Sequence, residues 1–135
     1  TDLDPQRLVR YKQEWFIAHM SELKSVAAVG AVVREVAARG KRLSIVSGSE
    51  LVIIEPSLEI VGLSSFFEII VTPEFVERGK PAPDMFLLAA EKMGVEPRDC
   101  VVYEDGKSGV IGAEAAGMAT VWVPTAEKRL AELAR

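Results

Sequence analysis

The strongest constraint on the fold is the alternation of short apolar segments with longer segments of helical periodicity. Strands are predicted for four apolar segments of four or five residues, at 43–46, 67–71, 100–103 and 120–123. Apolar residues at helical spacing predict helices at 5–20, 25–39, 83–93, 109–116 and 126–134, and a helical pair over 50–61 interrupted by Pro56. Strands that alternate with helices pair in parallel, and helices cover both faces of the sheet. The sequence therefore predicts an α/β protein.

The composition is that of one packed domain. The chain has 135 residues, of which 49% are hydrophobic and 27% are charged, well away from the composition of disordered chains. Domains commonly contain about 100–150 residues, so one domain is expected. The single cysteine, Cys100, has no partner within the chain, which favours a reducing compartment and predicts a cytoplasmic protein.

Charge and hydropathy exclude two classes of partner. The net charge of −4 argues against binding to the nucleic-acid backbone, which needs clustered lysine and arginine. The longest uncharged run, residues 115–126, has 12 residues, whereas a membrane-spanning helix needs about 20. The first four residues, Thr-Asp-Leu-Asp, do not resemble the start of a signal peptide. We therefore expect neither a nucleic-acid nor a membrane partner.

Polar residues follow three of the predicted strands. Ser47 comes directly after the first, Lys80 lies in the loop after the second, and Glu104 and Asp105 follow the third. Ligands of open parallel sheets bind beyond the carboxyl ends of the strands, so these side chains are expected to converge. Taken singly, Ser47 also fits an N-cap of the next helix, and Lys80 also fits a solvated loop.

The adjacent acids, Glu104 and Asp105, carry the sharper signal. Two like charges at the end of an apolar strand repel each other unless a cation compensates them. Hard divalent cations with oxygen ligands, Mg²⁺ above all, suit such a pair. The pattern therefore predicts a magnesium site at this end of the sheet.

The order of these residues resembles a known family. A serine follows a strand, Lys-Pro-Ala-Pro-Asp lies at 80–84, and Val-Val-Tyr-Glu-Asp at 101–105 is followed by Gly109, Gly117 and Met118. In these motifs the chain resembles the haloacid dehalogenase-like hydrolases, and within them the β-phosphoglucomutase-like phosphatases and mutases. The resemblance implies a Rossmann-like core with helices on both faces. It also implies that Ser47 hydrogen-bonds the transferring phosphoryl group, that Lys80 neutralises its charge, and that Glu104 and Asp105 hold Mg²⁺. Position 106 departs from the subgroup, which often has serine there.

The first motif of that family, an apolar strand ending in Asp-x-Asp-Gly-Thr, is absent from this chain. The segment Asp2-Leu3-Asp4 has its spacing but no strand before it, so we interpret Asp2 and Asp4 as acids at a helix N-terminus. The resemblance implies that residues 1–22 are the end of a helical cap and that 23–135 are the core without its central first strand. An upstream segment would supply that strand and the nucleophilic aspartate.

Two functions follow from these features. The first is a Mg²⁺-dependent phosphatase or phosphomutase acting on a small phosphorylated metabolite such as a sugar phosphate, through an aspartyl-phosphate whose aspartate lies outside this chain. The second is a truncated, non-catalytic domain that binds a partner or a phosphate without turning it over. The missing nucleophile favours the second function, and the retained Ser47, Lys80, Glu104 and Asp105 favour the first. The chain by itself is expected to be inactive.

Overall fold

The computed structural model describes residues 4–125. Five α-helices and four β-strands occupy them in the alternating order that the sequence predicts. The helices are α1 (Pro5–His19), α2 (Ala27–Ala38), α3 (Leu51–Ile60), α4 (Asp84–Met93) and α5 (Lys107–Ala115). The strands are β1 (Ser44–Val46), β2 (Ile69–Val71), β3 (Val101–Glu104) and β4 (Ala119–Trp122). The predicted last helix, 126–134, lies outside the described residues.

The described residues form two compact units. The first contains residues 4–43 and 49–68, with helices α1, α2 and α3. The second contains residues 44–48 and 69–125, with all four strands and helices α4 and α5. The predicted boundary after residue 22 falls inside the first unit, at the end of a short 3₁₀ turn, and it stays a prediction.

In the first unit, α1 begins where the sequence predicts an acidic N-terminus. The side chain of Asp4 accepts a hydrogen bond from the backbone N–H of Gln6 at 3.0 Å, which makes Asp4 the N-cap and confirms its predicted place. Asp2 lies outside the described residues. Gly40 follows α2 with a φ of 70°, the left-handed conformation that glycine commonly adopts after a helix.

The segment around Pro56 corrects one prediction. The structure has the single helix α3 where the sequence predicts two helices interrupted by proline. Pro56 lacks the N–H that would reach the carbonyl of Val52, and Val52 is exposed, so water can replace that hydrogen bond. Pro56 therefore lies inside α3 without breaking the helix.

In the second unit, the strands form two parallel pairs. β1 pairs with β2, with Val46 opposite Val71, and β3 pairs with β4, with Glu104 opposite Trp122. Within residues 4–125, no strand joins β1 to β3, as expected for a core without its central strand. The parallel α/β class is confirmed.

Helices α4 and α5 cover one face of these strands. Phe86 of α4, Ala113 of α5 and Met118 pack together, with Val102 of β3 and Val46 of β1 beside them. A second cluster joins α4 to β2 through three buried side chains, Val71, Met85 and Ala89. On the opposite face of the β3–β4 pair, Val101, Tyr103 and Val121 are 56%, 50% and 41% exposed. The buried face is therefore the one that carries Glu104.

Candidate active site

Parallel strands place the candidate site residues at one edge of the second unit. Ser47 follows β1 directly, Glu104 is the last residue of β3, and Lys80 lies in the loop that joins β2 to α4. The backbone N–H of Ser47 donates to the carbonyl of Val71 at 3.0 Å, which continues the β1–β2 ladder by one residue and fixes the start of the loop. Lys80 contacts the carboxyl ends of both β1 and β3.

The ammonium of Lys80 connects the two strand ends. Its Nζ donates to the backbone carbonyl of Val46 at 3.1 Å and to Oε2 of Glu104 at 2.6 Å. The same ammonium lies 5.3 Å from the centroid of the buried Phe86 ring, within the range of a cation–π contact. The Lys80 side chain is only 15% exposed. Its alternative interpretation as a solvated loop lysine is therefore wrong.

Glu104 is hydrogen-bonded on both carboxylate oxygens. Oε2 accepts from Lys80, and Oε1 accepts from the backbone N–H groups of Asp105 at 3.0 Å and Gly106 at 2.9 Å. Burial by itself raises the pKa of Glu104, but the hydrogen bonds from Lys80 and Gly106 and the charge of Lys80 outweigh it, and the pKa lies below its ordinary value. Glu104 is therefore an ionised partner of Lys80 at neutral pH.

Asp105 and Ser47 differ from this pair in their surroundings. Asp105 is exposed at the end of β3, and Ser47 is half-buried after β1. Helix α3 begins at Leu51 with Glu50 as its N-cap, so the alternative in which Ser47 caps that helix is wrong. The structure thus brings the Val46–Ser47 peptide, Lys80 and Glu104 into contact and places Asp105 next to them in the chain.

Two features of the site were missed by the sequence reasoning. The carbonyl of Val46 and the ring of Phe86 both contact the Lys80 ammonium, and neither residue type signals such a contact. The helical spacing of Phe86 predicts a core residue, which it is, at 1% exposure. Gly106 replaces the serine common in the subgroup, yet its backbone N–H still holds Glu104, because that contact needs no side chain.

His19 and Cys100 are the single histidine and the single cysteine of the chain, and both contact backbone carbonyl groups. His19 is the last residue of α1, donates from Nδ1 to the carbonyl oxygen of Trp15 at 2.7 Å, and stacks on the Trp15 ring with centroids 4.1 Å apart. Burial, and then the charge of Asp99, raise the pKa of the Cys100 thiol, so this cysteine is not an activated thiolate. His19 is therefore a helix-end residue, and Cys100 lacks the lowered pKa of a reactive thiol.

The exposed carboxylate of Asp105, at this edge of the sheet, is an oxygen donor that suits a hard cation. Mg²⁺ typically takes one or two protein carboxylates and keeps several water ligands. Within residues 4–125, no group of three or more histidine, cysteine, aspartate and glutamate side chains is arranged to hold a metal ion. The donors present, Asp105 with Glu104 beside it, fit a partial site that needs further ligands from elsewhere.

Within residues 4–125, no single helix is long and apolar enough to cross a membrane. One pair, Pro5–Glu22 with Ala27–Ala38, reaches that length and composition together and bends by 78° between its halves.

The chain is similar in sequence to curated phosphatases. It is 41% identical over 121 residues to the fructose-1-phosphate phosphatase YqaB of Escherichia coli, and the match covers 89% of this chain and 63% of that protein. It is 34% identical over 122 residues to the putative phosphatase YhcW of Bacillus subtilis, covering 90% of this chain and 56% of that protein. The chain thus spans less than two thirds of the length of these relatives.

A solved structure and a family model agree with these relatives. CbbY from Rhodobacter sphaeroides, solved in complex with phosphate, superposes with a TM-score of 0.83 at 26% identity, covering 92% of this chain and 59% of that one. The model of the haloacid dehalogenase-like hydrolases matches residues 4–117. This match includes Ser47, Lys80, Glu104 and Asp105, and the chain therefore belongs to the haloacid dehalogenase-like hydrolase family.

Proposed function

We propose that this chain supplies the phosphoryl-binding part of a Mg²⁺-dependent phosphatase or phosphomutase that acts on a small phosphorylated metabolite such as a sugar phosphate. The observation that carries the proposal is the largely buried Lys80 ammonium, held at 2.6 Å from Glu104 and 3.1 Å from the carbonyl that precedes Ser47. A fixed cation between the strand ends that precede Ser47 and Asp105 suits the binding of a phosphoryl group.

Lys80 is the residue that neutralises the phosphoryl group in this proposal. An ammonium has three N–H donors, and the carbonyl of Val46 and the carboxylate of Glu104 take two of them. The third donor is suited to an oxygen of the bound phosphoryl group. Because two acceptors and the ring of Phe86 already fix Lys80, little reorganisation is needed when charge builds up in the transition state.

Ser47 and Asp105 have complementary roles. Ser47, fixed by its backbone bond to Val71, offers a hydroxyl donor to a second phosphoryl oxygen. Asp105 is the residue that we propose holds Mg²⁺, with Glu104 beside it, although both oxygens of Glu104 already accept hydrogen bonds. When bound, Mg²⁺ neutralises charge on the transferring group.

The nucleophile comes from outside this chain in the proposal. An aspartate carboxylate oxygen attacks phosphorus, the bond from phosphorus to the leaving oxygen breaks, and the leaving oxygen takes a proton from the second aspartate of the upstream Asp-x-Asp motif. Water then returns a proton to that second aspartate and attacks phosphorus, and the bond from phosphorus to the first aspartate breaks, which releases inorganic phosphate. In a mutase, a second hydroxyl takes the place of water. The upstream strand that carries this aspartate would fill the gap between β1 and β3.

The relatives support a sugar phosphate as substrate. The Escherichia coli relative is named for fructose 1-phosphate, and the CbbY structure holds phosphate. In a monophosphate ester of a small polyol, the phosphate is the only charged group and the leaving group is uncharged. Lys80 is suited to bind that dianionic phosphate. The cytoplasm, where such metabolites are handled, stays the predicted location.

The test uses the protein expressed from its complete reading frame. We expect it to release phosphate from hexose and pentose monophosphates when Mg²⁺ is present, and we expect Lys80→Met to lower kcat by about 10² with a smaller change in KM. Arg39→Met, which removes the cation of an exposed ion pair, is the matched control and should retain full activity. A full-length protein that binds inorganic phosphate but releases none from any of these esters would instead support the non-catalytic alternative.

A further inference from the structure

Gly109 lies under the side chain of Glu104. It is the third residue of α5 and is buried. A Cβ atom built on Gly109 would overlap Cγ, Cδ and Oε2 of Glu104. The overlap involves most of the side chain, so a small rotation of the carboxylate would not relieve it. Any residue other than glycine at this position therefore displaces Glu104.

The neighbouring glycines do not have this relation to Glu104. A Cβ on Gly106 would lie 3.3 Å from Oε1, a tight contact that a slight shift accommodates. A Cβ on Gly112 would meet Phe86 and the backbone carbonyls of Ala82 and Pro81 instead. Of the glycines on α5 and at its N-cap, Gly109 alone is in conflict with the body of the Glu104 side chain.

We propose that Gly109 is a positioning residue for the phosphoryl-binding lysine, an inference that rests on the proposed function. Its missing side chain lets Glu104 lie across the first turn of α5. In that position Oε1 reaches the N–H groups of Asp105 and Gly106, and Oε2 reaches Lys80. Gly109 thus acts through Glu104 on Lys80, without contact to the substrate.

The alternative is that Gly109 only allows general packing of α5. The two explanations differ in whether the loss of stability caused by Gly109→Ala depends on the Glu104 side chain. If the overlap with Glu104 is the cause, removing that side chain abolishes the effect. If the cause is general packing, the effect is independent of Glu104.

The experiment measures the folding equilibrium constant of the full-length protein by urea unfolding, with Gly109→Ala made in three backgrounds. In the native background and in Glu104→Gln, whose side chain has nearly the same shape, we expect Gly109→Ala to lower the constant by at least about tenfold. In Glu104→Ala, whose side chain ends at Cβ, the same substitution should raise it by up to about fivefold, since alanine is the better helix former. The sign of the effect therefore reverses with the shape of residue 104.

A second readout connects this packing to the reaction. We expect Gly109→Ala to lower kcat by about tenfold with little change in KM, and Gly30→Ala to leave both unchanged. Gly30 is a matched control because it is also a buried helical glycine, and its added Cβ would approach only the flexible end of Arg34 closely.

The outcomes separate the two proposals. An equal loss of stability in all three backgrounds, or no loss in any, would overturn the positioning role. A reversed sign with kcat unchanged would also overturn it, because Glu104 would then be displaced without consequence for Lys80. If the native protein releases no phosphate, the proposed function fails, and the stability measurements still decide whether Gly109 positions Glu104.

Discussion

The pair between Lys80 and Glu104 gives a quantitative prediction, because the chain contains a second ion pair of the same length in different surroundings. In both the Lys80–Glu104 pair and the Arg39–Glu35 pair, nitrogen and oxygen are 2.6 Å apart. The side chains of the first pair are 15% and 13% exposed, and those of the second are 70% and 61% exposed. Distance is therefore matched, and burial is the variable.

The expected free energies follow from that difference. At 2.6 Å and an effective dielectric constant of about 20, the attraction between two unit charges is about 6 kcal/mol, most of which repays the desolvation of both groups. Removing one partner of a buried pair costs about 3–5 kcal/mol, because the other charge remains buried. Glu104 keeps two backbone donors after Lys80 is lost, so we expect the lower end, about 3 kcal/mol. The exposed pair contributes about 0.3–0.5 kcal/mol.

The assay is urea unfolding of the full-length protein with Lys80→Met and Arg39→Met. Methionine is unbranched and apolar, so at position 80 it can retain packing against Phe86 and isolate the loss of charge. We expect a loss of about 3 kcal/mol for the first variant and less than about 0.5 kcal/mol for the second. If both variants lose the same amount, burial does not control the strength of this pair, and the reasoning is refuted.

Three further predictions concern the metal, the isolated chain and the packing of α5. Asp105→Asn should weaken Mg²⁺ binding to the full-length protein in calorimetric titration, and equal binding by both forms would reject Asp105 as a ligand. Residues 1–135 expressed alone should show no Mg²⁺-dependent hydrolysis of an aryl phosphate and no sharp cooperative thermal transition. A stable, active chain would show that the nucleophile lies within these residues. Gly112→Ala should destabilise the full-length protein by about 1–3 kcal/mol, because its Cβ would meet the Phe86 ring at 2.9 Å, and an unchanged urea midpoint would contradict this.

The sequence predicted the positions of the strands and the residues that follow them, for a physical reason. Short apolar runs between helical segments form a parallel sheet, and the carboxyl ends of parallel strands lie on one edge. That rule was enough to predict that Ser47, Lys80 and Glu104 lie near each other. The contact between Lys80 and Glu104 confirms this convergence for two of them.

The sequence did not predict how the charges are paired. Adjacent Glu104 and Asp105 were expected to need a cation, and a divalent ion was the cation considered. In the structure, the Lys80 ammonium already compensates Glu104, from 24 residues earlier in the chain. Two adjacent acids therefore do not by themselves indicate a metal site in this chain. The magnesium proposal is supported by Asp105, whose carboxylate is exposed. Pairing over such a distance depends on side-chain directions that periodicity does not encode.

The separation of the strands into two pairs affects how the chain associates when no further strand lies between β1 and β3. β1 and β3 each keep one edge whose backbone groups have no strand partner within residues 4–125. Open edges template pairing with other polypeptides. The open edge of one copy can pair with an open edge of another, so assemblies of the isolated chain should grow with concentration. An extended peptide that occupies both edges would stop this growth, and the chain is in that sense an acceptor for strand complementation.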